Sequence, residues 1–201
     1  MWDSSKTDQM TVRGEIGGVG RPAGVPPLVA EDHVCELCGI SYARVTLEEA
    51  LSCIEALPGQ LRATLSTLNV DVLRVRPEPR TWSVIEYVCH LRDVLATTTI
   101  RLHRTRTEDH PSVDPMLNDL RADRFGYSRR ALPPLLDEIA DMTVGLLRET
   151  ARFSESGWDR THRRYPGEDR SARWLIRQAM HETTHHLLDI EHVASRSVRG
   201  Q

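Results

Sequence analysis

The sequence predicts an all-α protein: a four-helix bundle preceded by a polar tail and a short cysteine-containing segment. Three observations predict it. Apolar residues recur at helical spacing in four stretches after position 45, no run alternates as a half-buried strand would, and two of the helix starts carry capping boxes. Four long helices joined by loops of varied length are the pattern of a bundle.

The first helix is predicted to begin at Thr46, where Thr46-Leu47-Glu48-Glu49 lets the threonine accept from a first-turn amide while Glu49 reaches back. Leu47, Leu51, Ile54, Leu61, Leu65 and Leu68 share a face, and Pro58-Gly59 predicts a kink or two abutting helices. Ser83-Val84-Ile85-Glu86 caps the second helix, with Trp82 positioned to staple its first turn, and Val84, Tyr87, Val88, Leu91 and Leu95 carry it to about Arg104. A loop is expected over about 106–127. The third helix starts near Pro133-Pro134, with Leu135, Leu136, Ile139, Met142, Leu146 and Leu147 as its stripe. The fourth starts near Ser171 and runs through Trp174, Leu175, Met180, Leu187, Leu188 and Ile190. The organisation expected is a disordered tail over 1–30, a Cys-x2-Cys segment over 31–45, the bundle over 46–195 and a second tail over 196–201.

The chain has 201 residues, which suffices for one domain with a real core. A net charge of −3 provides no basic field, which argues against nucleic acid as a partner. No apolar run approaches the roughly 20 residues that span a bilayer, and the first 20 residues lack the apolar centre of a signal peptide. The expectation is a cytoplasmic protein acting on a small molecule, its four cysteines (Cys35, Cys38, Cys53, Cys89) serving as thiols or ligands rather than disulfides.

The chemistry is expected in the histidines. His181 and His185 lie four apart on the last helix, so both imidazoles leave one face and can reach one ion. A third ligand must come from another helix, and His90, beside Tyr87, Leu91 and Val94, is expected to face the bundle interior. Three histidines leave a coordination position open, as a catalytic metal requires. For His90 alone the plain alternative is a hydrogen-bonded core residue.

The segment Arg76 to Val94, with Thr81-Trp82-Ser83 followed by His90-Leu91, and the segment His181-Glu182-Thr183-Thr184-His185-His186-Leu187-Leu188-Asp189-Ile190 together resemble the DinB-like (DNA-damage-inducible, YfiT-like) superfamily of metalloenzymes. The resemblance covers about residues 45–195. It implies an antiparallel four-helix bundle holding a divalent ion, often zinc or nickel, on His90, His181 and His185. It also implies a homodimer. Members with known chemistry use a low-molecular-weight thiol such as bacillithiol or mycothiol as cosubstrate in thiol transfer, or isomerise maleylpyruvate, but membership does not fix the substrate. A metal with an open position can stabilise a thiolate or activate water. Glu86 is a candidate catalytic base, with the competing role of capping partner to Ser83. Asp93 and Asp189 are candidates for orienting the imidazoles, Trp82 and Tyr87 for lining a pocket; solvated faces and plain packing are the alternatives.

Two motifs compete. His181-Glu182-Thr183-Thr184-His185 is a literal H-E-x-x-H, the zinc-protease pattern, but Leu188 and Glu191 occupy positions where the extended form needs Gly and His, and no strand supplies a substrate edge. On the bundle reading Glu182 need not face the metal. Cys35-Glu36-Leu37-Cys38-Gly39 is half of a zinc knuckle, a possible second, structural metal site. Cys35 and Cys38 would then need His33 and Cys53, or a partner subunit, to complete the shell, and a redox dithiol or two packed thiols are the other readings. A non-enzymatic bundle that holds metal as a stress-response sensor or binding module is the alternative to an enzyme.

Overall fold

The computed structural model describes residues 21–22, 25–70 and 72–199. The expected disorder of residues 1–20 falls outside them. Helix α1 spans Leu47–Ser66, α2 Val84–Thr107, α3 Asn118–Arg124, α4 Leu132–Thr150 and α5 Ala172–Arg199. A two-stranded antiparallel hairpin, β1 (Thr161–Arg163) and β2 (Asp169–Ser171), precedes α5.

Both capping boxes form. The Glu49 amide donates to Thr46 Oγ1 at 3.1 Å while the Thr46 amide donates to Glu49 at 2.8 Å, and the Ser83 amide donates to Glu86 at 2.8 Å. Each box satisfies amides that the first helical turn leaves without partners. Pro58 does not divide α1, which is one element from Leu47 to Ser66.

Helices α1, α2, α4 and α5 make the antiparallel bundle. Helix α1 packs against α4 and α5, and α2 packs against the same two, so α1 and α2 occupy opposite corners. Ile54, Leu57 and Leu61 of α1 meet Val88, Leu91 and Leu95 of α2, Leu135 and Ile139 of α4, and Ile176, Ala179 and Ile190 of α5 in one core. Met142, predicted for the buried stripe, is 37% exposed, because the stripe of α4 that faces the core runs through Leu136, Ile139, Thr143 and Leu146.

Three departures from the sequence reading shape the site. Part of the expected 106–127 loop is the short helix α3. The hairpin has three-residue strands, Thr-His-Arg and Asp-Arg-Ser, too short and too polar for an alternation to show. Residues 25–30, expected within the tail, are tied to the hairpin and α5: Arg170 donates to the carbonyls of Leu28 and Val29, and Trp174 Nε1 donates to Ala30 O at 3.2 Å. At the other end α5 continues to Arg199, into the span expected as tail.

His162 on β1 is buried beside Trp174, and its Nδ1 has no hydrogen-bond partner among the described residues. Burial, reinforced by Arg101, pushes its pKa down to about 4 from an ordinary 6.5. The unfolded chain therefore binds a proton that the folded chain refuses between these values. Stability from this group is intact above pH 6.5 and falls as pH drops toward 4, by on the order of 3 kcal/mol. Urea unfolding of wild type and His162→Gln at pH 7 and pH 4.5 checks this: the wild type is expected to lose more stability than the variant.

Candidate metal centres on the last helix

Consecutive residues on a helix are rotated by about 100°, so His181-Glu182-Thr183-Thr184-His185-His186 contains two overlapping i, i+4 pairs on neighbouring stripes. His181 and His185 face the segment before α1. Glu182 and His186 face α2. The structure accordingly does not bring His90, His181 and His185 to one point; among the described residues it forms two potential ligand groups, His90 with Glu182 and His186, and Cys35 and Cys38 with His181 and His185. The reason is rotational: the stripe of α5 that faces His90 begins one residue after His181.

In the first group Glu182 Oε2 lies 3.1 Å from His90 Nε2 and 3.1 Å from His186 Nε2. Ligand atoms with bonds of 2.0–2.2 Å are separated by about 3.0 Å at right angles and about 3.4 Å at the tetrahedral angle, so both of these contacts have the spacing of two ligands on one ion. Without metal they are a hydrogen-bonded triad. Burial works against the imidazolium of His186, but Asp189 and Glu182 outweigh it and push His186 up to about 9. Burial likewise disfavours the Glu182 carboxylate, yet His186 and His90 hold it well below the usual range. Asp189 accepts from His186 Nδ1 at 2.8 Å, which fixes the tautomer that presents Nε2 to the cluster. The imidazole that Asp189 holds is that of His186, which is not one of the three histidines expected as ligands.

Asp93 does not orient a histidine. Its carboxylate accepts from Arg92, Arg121 and Tyr127. Glu86 is committed too: it caps Ser83 and accepts two bonds from Arg76, which together with Ser83 hold it below its ordinary value against the opposing effect of burial. The carboxylate that faces the histidines is Glu182. Trp82 lies 5.2 Å from the His90 ring and Tyr87 5.2 Å from the His186 ring, so these aromatics wall the cluster.

A pocket of about 640 Å³ opens on this group, and His90 and Glu182 are part of its wall. Val94, Thr98, Met116 and the 25–29 segment line it further out, together with Arg101, whose guanidinium burial draws down to about 10. Leu117, also in the wall, has a φ of +51°, a left-handed conformation uncommon for a branched residue and typical of positions held by their surroundings.

In the second group Cys35 and Cys38 sit on a tight turn in which the Gly39 amide donates to Cys35 O at 2.8 Å and Gly39 adopts a φ of +72°, a conformation favourable to glycine. Cys35 Sγ is 3.6 Å from His185 Nδ1. Burial works against a Cys35 thiolate, but amides of Cys38 and Leu37 donate to it and lower its pKa overall. A chain of side chains joins the two groups. Tyr42 Oη lies 2.9 Å from His181 Nδ1 and donates to Gln178 Oε1 at 2.6 Å, and Gln178 Nε2 donates to Glu182 Oε1.

A helical bundle with imidazoles and a carboxylate converging beside a pocket belongs to the class of bundles built around a candidate metal centre. Residues 54–190 match the family model of the DinB superfamily, and the chain belongs to that superfamily. Among solved structures it is similar to YfiT from Bacillus subtilis, described as a probable metal-dependent hydrolase with an unusual four-helix bundle topology. The TM-score is 0.69 at 15% identity, covering 78% of this chain and 89% of YfiT. No curated protein matches. No helix among the described residues is long and apolar enough to cross a membrane.

Proposed function

We propose that this protein is a metal-dependent enzyme in which His90, Glu182 and His186 hold one divalent ion facing the pocket. The observation that carries the reading is that two of the three donors form pocket wall, so a ligand in the pocket reaches the cluster directly. Three protein donors leave positions free, and two imidazoles with a carboxylate suit zinc or nickel. Bound there, the ion would supply Lewis acidity and favour the ionised form of a thiol or a water molecule.

The chain's own residues do the remaining work. Asp189 holds the proton on His186 Nδ1, Gln178 fixes one oxygen of Glu182, and Trp82 and Tyr87 limit water at the cluster. Arg101 places a cation in the pocket suited to a carboxylate on the substrate. The volume, within the range of small-molecule sites, has room for a small electrophile beside a low-molecular-weight thiol, so thiol transfer is the reaction proposed. The description of YfiT supports water as the alternative nucleophile. A homodimer is part of the proposal.

The test compares metal-loaded and chelator-stripped protein on electrophiles with and without thiol. Turnover that consumes thiol and disappears on stripping and in His90→Ala is expected. Full activity after metal removal sinks the reading, and metal-dependent turnover without thiol replaces transfer by hydrolysis.

A further inference from the structure

The four donors Cys35, Cys38, His181 and His185 lie within 4.8 Å of one another, and they come from two places far apart in the chain: a turn before α1 and the outer stripe of α5. We propose that they form a second metal site, a closed tetrahedral Cys2His2 zinc site, distinct from the pocket-facing group. The donor set and spacing, Cys-x2-Cys with His-x3-His, are those of structural zinc. The geometry agrees. Zn–S bonds of about 2.3 Å and Zn–N bonds of 2.0–2.1 Å put sulfur and nitrogen about 3.5 Å apart at the tetrahedral angle, and Cys35 Sγ is 3.6 Å from His185 Nδ1. His181 Nε2 is buried without a hydrogen-bond partner among the described residues, while its Nδ1 meets Tyr42 Oη; a ligand on Nε2 is what that ring lacks. Gly39 after the second cysteine permits the left-handed step that closes the turn.

Binding takes one zinc ion and releases the two thiol protons to solvent. The His181 Nδ1 proton is then donated to Tyr42 Oη, the Tyr42 proton to Gln178 Oε1, and a Gln178 Nε2 proton to Glu182, so every donor in the chain has an acceptor. The closed site fastens the segment that also supplies the 25–29 wall of the pocket, and through this relay it sets the orientation of Glu182.

The test is metal content and cobalt spectroscopy on full-length protein. Wild type should hold two ions per chain, one for each group. Cobalt-loaded wild type should show tetrahedral ligand-field bands and sulfur-to-cobalt charge transfer. That signature should survive in His90→Ala/His186→Ala and vanish, with the loss of one ion per chain, in Cys35→Ser/Cys38→Ser. Wild-type cobalt protein without sulfur charge transfer overturns the proposal, as does charge transfer that persists in His181→Ala/His185→Ala. If the cysteine variant fails to fold, alkylation of wild type decides: Cys35 and Cys38 should be protected with zinc and modified after chelation, and equal reactivity in both states overturns the site. Failure of the pocket-facing site is separable, because it would leave the sulfur signature intact.

Discussion

Glu182→Gln is expected to lower the affinity of the pocket-facing site for a divalent ion by about a hundredfold or more, above the loss typical of a partner that merely orients a ligand. The substitution keeps the shape of the side chain and removes its charge. Both imidazoles that now share Glu182 Oε2, each at 3.1 Å, then face a neutral amide. Competition titration against a chelator measures the effect, with the cysteine-containing site as internal reference. The result also tests the H-E-x-x-H reading: a protease glutamate activates water beside the metal without holding it, so its Gln variant would stay fully loaded and lose only activity. In this structure His181 and His185 face the cysteines while Glu182 faces His90, which separates the two histidines of that motif from its glutamate.

Asp93→Ala is expected to produce the largest loss of stability, about 3 kcal/mol or roughly 6–12 °C in Tm. Asp93 is buried on α2 and collects hydrogen bonds from Arg92, Arg121 at 2.6 and 2.9 Å, and Tyr127. These bonds hold it below the ordinary carboxylate range although burial pushes the other way. Removing it leaves the buried Tyr127 hydroxyl without its acceptor and takes the shared carboxylate from Arg121 and Arg92, of which Arg92 keeps Glu138. Thermal unfolding of the metal-stripped protein reads the effect without interference from ligand binding, and a shift below about 2 °C would show that the cluster contributes little. The same network joins α2 to α3 and to the turn carrying Tyr127, which is why Asp93 faces away from the histidines.

Much of the bundle was legible because its signals are local. Thr46 with Glu49 and Ser83 with Glu86 are boxes closed within three residues, and apolar periodicity places the four long helices within a few residues of their ends. The hairpin, α3 and the docking of residues 25–30 were not legible. They are held by long-range hydrogen bonds, such as Arg170 to Leu28 and Val29, with no sequence period of their own.

The site was half legible. His90 and the histidine-rich turn of α5 contribute to the candidate ligand groups, yet the partition of that turn between two faces depends on its rotation against α2. Glu182 and His186 carry the same i, i+4 spacing as His181 and His185, and nothing local says which pair meets His90. The Cys-x2-Cys and His-x3-His spacings were both visible, but assigning the histidines to His90 left the cysteines in search of partners.

Composition, caps and periodicity therefore specified four helices, and residue spacing marked the cysteine turn and the histidine-rich turn of α5 as places where candidate ligands gather, since each is a property of neighbours in sequence. Which candidate donors lie together, and which carboxylate stands among them, was decided only when α5 packed between α2 and the cysteine turn. A rotation of one residue, about 100°, exchanges one ligand set for the other, and only tertiary contacts choose that angle.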